Sequence, residues 1–214
     1  MSEAMARIGS CGIIPVIKLN NAANAVLLAN ALLYGGIDVM EITFRTAAAK
    51  EAIELVARSR PEVLIGAGTV LDAKTLIAAK NAGAKFIVSP GLNPETVRAA
   101  KEEGLPILPG VLTPTEIEKG LSLGIKIFKF FPAENYGGIK TVHALAAPYG
   151  DIKFVPTGGI NADNAADYFI SDKVFAVGSS WIAPEKLIDG GNWAKITRLA
   201  KEATALLKSA RSRL

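Results

Sequence analysis

The chain has 214 residues, 50% of them hydrophobic and 21% charged, with 24 Lys+Arg against 20 Asp+Glu and a formal net charge of +4. A length of this order suits one domain, read as residues 1–214, with a core that needs no covalent staples. The single cysteine, Cys11, and single histidine, His143, exclude a disulfide framework, a cysteine-built zinc site and a His-rich metal centre, and they suit a reducing cytoplasm.

Along the chain, Met1–Arg7 carries Glu3 and no apolar run, so no signal peptide is expected. Ile13–Leu19 reads as a first strand. The longest uncharged stretch, Leu19–Ile37, is broken by Asn20, Asn21, Asn24 and Asn30; it reads as a buried helix and not as a membrane span. Ile37–Phe44 is a second strand, and Ala47–Ser59 a helix with Ala49, Ile53, Val56 and Ala57 on one face. Further strands are expected at Val63–Gly68, Lys85–Ser89, Pro106–Pro109, Ile125–Phe131, Ile152–Pro156 and Val174–Val177. Asp72, Asn93, Thr113 and Asn161 are helix-start residues, and Gly35-Gly36, Gly83, Gly104 and Gly124 mark helix ends. A last helix, about Trp193–Lys208, places Trp193, Ile196, Ala200, Ala203 and Leu207 on one stripe. Only Lys208–Arg213 forms a basic tail; elsewhere the cations are mixed with acids, which favours a small anionic ligand over nucleic acid.

Eight β-then-α units predict a parallel sheet with right-handed crossovers, and eight is the number that closes a (β/α)8 TIM barrel. An open doubly wound sheet is the competitor. Its dinucleotide fingerprint is incomplete, since Gly66-Ala67-Gly68 is followed by Leu71 at the third glycine position.

In a barrel of this kind chemistry sits at the carboxyl ends of the strands. Lys85, Lys126, Lys153 and Lys173 stand at strand beginnings and read as solvated. Lys129 lies late in a strand of aliphatic and aromatic residues, with Ile127, Lys129 and Phe131 on one face. It is either half of a buried ion pair or a desolvated nucleophilic amine. Glu41 shares a strand face with Val39, Thr43 and Arg45, so a carboxylate and a guanidinium project from one side; Glu41 could pair with Lys129 or with Arg45. Thr157-Gly158-Gly159 and Ser179-Ser180 follow the seventh and eighth strands, where this architecture often cradles a phosphate on backbone N–H groups. Thr69 and Pro90 close two other strand exits and read as turn residues when taken alone. His143 reads as a structural or surface residue, and Glu134 as a loop carboxylate within reach of the barrel mouth that nothing singles out from a solvated one.

The runs Val39–Thr46, Ile65–Val70, Phe128–Glu134 and Val155–Ile160 together resemble the 2-keto-3-deoxy-6-phosphogluconate (KDPG) aldolase family, whose members often also act as 4-hydroxy-2-oxoglutarate (KHG) aldolases. The resemblance runs from about Ile13 to Trp181. It implies a metal-free class I aldolase built as a homotrimeric (β/α)8 barrel. KDPG would be cleaved to pyruvate and glyceraldehyde 3-phosphate, and 4-hydroxy-2-oxoglutarate to pyruvate and glyoxylate. The resemblance makes Lys129 the Schiff-base residue and Glu41 the acid/base, with Arg45 and Thr69 on the substrate carboxylate. Pro90 and Phe131 would shape the pocket, and Thr157, Gly158, Gly159 and Ser180 would meet the distal end and its phosphate. No cofactor is implied beyond the imine, and the partners are small keto-hydroxy acids, with neither nucleic acid nor membrane. Lys18, at the exit of the first strand, adds a cation that bears on preference among acid or phosphate substrates, and the short segment before that strand implies a barrel floor less covered than in members with a longer N-terminal helix. The competing readings are an aldolase for the galactonate epimer, a phosphosugar isomerase or epimerase, and a non-catalytic phosphometabolite-binding barrel.

Overall fold

In the computed structural model, which describes residues 2–212, strands and helices alternate along nearly the whole chain. Arg213, the end of the expected basic tail, lies outside the described residues. Helix α1 (Glu3–Cys11) precedes β1 (Ile13–Ile17), α2 (Ala25–Tyr34), β2 (Val39–Thr43), α3 (Ala49–Ser59), β3 (Leu64–Gly68), α4 (Ala73–Asn81) and β4 (Ile87–Val88). Then come α5 (Pro94–Glu102), β5 (Ile107–Leu108), β6 (Gly110–Val111), α6 (Pro114–Ser122), β7 (Ile127–Phe130) and α7 (Gly138–Ala146). The chain ends with β8 (Lys153–Pro156), α8 (Ala165–Phe169), β9 (Val177–Ser179), α9 (Glu185–Asp189) and α10 (Trp193–Arg211).

All strand pairs are parallel, in a six-stranded run β5-β4-β3-β2-β1-β9 and a three-stranded run β6-β7-β8. The runs join into one (β/α)8 barrel. On one side β5 and β6 are two pieces of one stave, interrupted at Pro109: its carbonyl accepts from Lys129 N at 2.9 Å, but it has no N–H to donate. On the other side single bridges, Phe154 to Val174 and Thr157 to Gly178, connect β8 to the last stave. That stave corrects the expected strand Val174–Val177. Regular pairing starts at Val177, opposite Ile13, because the preceding residues leave a turn in which Val174 N donates to Ser171 O at 3.2 Å.

Alternation divides the core into two shells. Residues such as Ile13, Ile17, Met40, Ile42, Ile65 and Ile87 face outward and pack under the helices. Ile14, Val39, Leu64, Phe86, Val88, Leu108, Val155 and Ala176 face inward and fill the barrel. Met5 and Ile8 of α1 belong to this inner cluster. The floor is therefore covered by α1. The helix starts well: Ser2 caps it and Gly12, at φ 70°, ends it.

The expected caps at Asp72, Asn93 and Thr113 each accept a backbone N–H, and Thr113 forms a full capping box with Glu116. Asn161 does not cap a helix. Its Oδ1 accepts from Asp163 N within a turn, and α8 begins later, after Asn164. His143 is an exposed residue of α7, with Nε2 3.3 Å from Ser171 Oγ. Among the described residues no helix is long and apolar enough to cross a membrane.

Candidate active site

Strand register brings the two unexpected polar residues together. Glu41 lies mid-β2, opposite Val16 on one side and Gly66 on the other; Lys129 lies in β7, between Gly110 and Val155. Both side chains point into the barrel, and Lys129 Nζ stands 3.7 Å from Glu41 Oε1. Glu41 is 2% and Lys129 6% exposed. The separation makes an ion pair but exceeds hydrogen-bond length, so Glu41 Oε1 has no hydrogen-bond partner among the described residues. Burial pushes the Glu41 carboxyl above its ordinary range, against the opposing pull of Lys129 and then of Arg45.

The carboxylate has space because of a glycine. A Cβ placed on Gly68 would sit 1.9 Å from Glu41 Oε1, so the acid occupies the volume that any other residue of β3 would fill. Gly66, one inward position below, makes room for the Phe86 ring in the same way. Read from sequence, these inward glycines register only as an incomplete dinucleotide fingerprint and not as space for an acid. Their signal is the alternation of Gly66 and Gly68 along one strand.

Arg45 stands at the rim beyond β2 with an exposed side chain; its Nε donates to Thr43 Oγ1 at 3.0 Å. Thr43, buried on the same face, donates in turn to Ile17 O at 2.7 Å. The guanidinium is thus held by a hydroxyl and makes no ion pair with Glu41, which resolves the two pairings open from sequence in favour of Glu41–Lys129. Thr69, at the exit of β3, has φ 56°. A β-branched residue in the left-handed region carries strain of roughly 1–3 kcal/mol and marks a position fixed by its surroundings. Pro90 is exposed at the rim, and its carbonyl crowds Gly110.

Phe131 follows Lys129 on the inward face and is 38% exposed, with its ring centroid 5.3 Å from Lys129 Nζ, within cation–π range. It therefore covers the amine on its solvent side. The Phe131–Pro132 peptide is cis. Glu134, beyond it, is exposed, as expected of a loop carboxylate, and it also accepts a hydrogen bond from the buried Tyr168 hydroxyl, while its backbone N donates to Gly158 O at 3.1 Å. Burial, followed by the Glu134 contact, pushes the Tyr168 hydroxyl upward.

At the exits of β8 and β9 the glycine-rich loops lie side by side. Thr157 is buried, and its side chain fills the place where a Gly178 Cβ would stand, 2.1 Å from Oγ1. Gly158 and Gly159 have φ 99° and 80°, left-handed conformations that favour glycine. Ser180 is exposed on the adjacent exit, whereas Ser179 is buried, with its Oγ lacking a hydrogen-bond partner among the described residues. The fold thus assembles a buried amine–carboxylate pair, a rim guanidinium and a pair of glycine-rich loops at the exits of the strands. Such a set can form and break bonds next to a carbonyl carbon while holding a substrate with an anion at each end. No three His, Cys, Asp or Glu side chains among the described residues come together as a metal site requires.

Residues 5–199 match the family described as KDPG and KHG aldolase. The chain is 46% identical over 196 residues to the 2-dehydro-3-deoxy-phosphogluconate aldolase of Haemophilus influenzae, spanning 92% of each protein. It is 42% identical over 191 residues to the KHG/KDPG aldolase of Escherichia coli K12, spanning 89% of this chain and 90% of that one. Among solved structures, the KDPG aldolase of Legionella pneumophila superposes with a TM-score of 0.90 at 40% identity, over 94% of this chain and 97% of its own. That protein holds pyruvate captured at low pH as a covalent carbinolamine intermediate.

Proposed function

The chain belongs to the KDPG and KHG aldolase family, and from that premise we propose that it is a class I aldolase acting through an imine on Lys129. The reaction is the reversible cleavage of KDPG to pyruvate and glyceraldehyde 3-phosphate, with 4-hydroxy-2-oxoglutarate as a second substrate yielding pyruvate and glyoxylate. The observation that carries the proposal is the buried Lys129–Glu41 pair, 3.7 Å apart at the open end of the barrel.

The chemistry follows from that pair. Lys129 Nζ, neutral at the moment of attack, adds to the C2 carbonyl of the keto acid. Glu41 protonates the departing hydroxyl of the carbinolamine, water leaves, and a protonated imine remains. This cation accepts the electron pair of the C3–C4 bond as Glu41 removes the C4 hydroxyl proton, releasing the aldehyde and leaving an enamine. Protonation of the enamine carbon and hydrolysis of the imine then free pyruvate and regenerate Lys129. A carboxyl raised by burial above its ordinary range holds a proton more readily than a free glutamate does, which suits its acid role. Arg45 and Thr69 hold the pyruvyl carboxylate, and Pro90 and Phe131 shape the pocket around the amine. Thr157, Gly158, Gly159 and Ser180 hold the distal end through backbone N–H groups and hydroxyls. No cofactor other than the covalent imine takes part, residues 1–214 act as one barrel, and the assembly is a homotrimer.

Treatment with pyruvate and borohydride tests the imine. A reduced pyruvyl adduct is expected on the peptide carrying Lys129, together with pyruvate release from KDPG in a coupled assay. An unmodified Lys129 in a preparation that retains cleavage would defeat the proposal.

A further inference from the structure

The proposed distal cradle lacks a cation of its own. From Thr157 to Asn164 and from Gly178 to Pro184 the sequence has no Lys or Arg, so these loops offer a phosphate only N–H groups and hydroxyls. The adjoining stave supplies one. In β1, Pro15 pairs with Ser179, so continued register sets Ser180 beside Val16, and Lys18 is the next residue of that inward series above Ile14 and Val16. On its other side, Ile17 pairs with Ile42, which sets Lys18 beside Thr43, the residue that holds Arg45. Lys18 therefore stands at the rim between the two anion-holding ends of the site.

Its amine is engaged in this structure. Lys18 Nζ lies 2.7 Å from Glu185 Oε1, and Asn20 Nδ2 donates to the same oxygen at 2.7 Å. The bonds from Lys18 and Asn20 hold the Glu185 carboxyl below its ordinary range, so the partner is an ionised carboxylate. Both members of the pair are 38% exposed. An exposed pair of this kind is worth little to the fold and is readily exchanged for a second anion. Glu185 opens α9, five residues after Ser180, on the segment that leaves the last strand.

We infer that Lys18 is a specificity-determining residue that exchanges Glu185 for the distal phosphate of the substrate, and that Glu185 is its internal competitor. The inference deepens the aldolase reading and rests on it. It predicts opposite effects from the two halves of one ion pair, which a merely structural bridge does not give.

The test compares native protein, Lys18→Met and Glu185→Gln by calorimetric titration with inorganic phosphate. It also compares their kcat/KM for KDPG and for its unphosphorylated counterpart. With Lys18→Met, phosphate affinity and the phosphorylated-to-unphosphorylated ratio are expected to fall about tenfold, as for one lost bond to a charged group. With Glu185→Gln, both are expected to rise. An unchanged ratio and phosphate affinity in Lys18→Met would overturn the inference, as would both variants moving the two quantities in the same direction. Failure to trap pyruvate on Lys129 defeats the aldolase reading instead, and the phosphate titration then still decides the role of Lys18.

Discussion

Glu41 is where composition, packing and chemistry meet in one residue. A carboxylate in the middle of a buried strand is costly, and here it is accommodated by a glycine on the next strand and a lysine across the barrel. Gly68→Ala is therefore expected to keep the barrel but push the carboxylate off its position, lowering kcat on the order of 100-fold, the scale of a small misplacement at a reacting centre. A kcat within about twofold of native, measured by pyruvate release, would show that Glu41 does not need to stand where it does. The raised carboxyl also makes a thermodynamic prediction. Because burial lifts the Glu41 pKa in the fold above its unfolded value, the fold binds that proton more tightly than the unfolded chain does. The resulting stability is fully present below the ordinary glutamate value of about 4.3 and is lost as pH rises through the raised value. Glu41→Gln, which cannot lose that proton, should gain Tm relative to native protein as pH rises from about 4 to about 8. Each kcal/mol should appear as about 2–4 °C for a chain of this size. The slope with pH is diagnostic, because removing the partner of Lys129 adds a penalty of its own. A Tm difference that does not vary with pH would show that Glu41 does not titrate between these limits.

At the scale of elements, α1 does what no strand can: it supplies Met5 and Ile8 to the inner cluster at the amino end of the barrel. Ile8 is fully buried, so Ile8→Ala should cost about 2–5 kcal/mol. Denaturant unfolding measures this, and a loss below about 0.5 kcal/mol would mean that α1 is not part of the cooperative core. The helix starts at Asp72, Asn93 and Thr113 were legible in the sequence, because a short polar side chain ahead of a helical pattern has one local task, to accept an orphan N–H. Asn161 looked the same and serves a turn instead, because Asn164 takes the cap position ahead of α8. The split between β5 and β6 was implicit in Pro109, which cannot donate to a ladder. The shift of the last strand to Val177–Ser179 was not. It depends on which residue of β1 lies opposite, and that is a property of the neighbour.

For the whole molecule, closure of the sheet makes the site. Glu41 on β2 and Lys129 on β7 are far apart in sequence and on different sheet runs, and they face one another only because the staves curl into a cylinder. The proposed homotrimer predicts a sedimenting mass three times that of the monomer, measured by equilibrium ultracentrifugation across a range of protein concentrations. A monomer throughout would remove the trimer from the proposal.

By itself the sequence determined the alternation of strand and helix, the inward face of each long strand, and the four motif runs that lead to Lys129, Glu41, Arg45 and Thr69. The first two follow from periodicity, a local property, and the motif runs point to those residues through the resemblance to the aldolase family. Only the tertiary structure decided that Glu41 pairs with Lys129 and not with Arg45, that Gly68 makes space for the acid, that Tyr168 ties down Glu134, and that Lys18 is held by Glu185. Each of these depends on the distance between residues remote in the chain, and that distance is set by register and barrel closure.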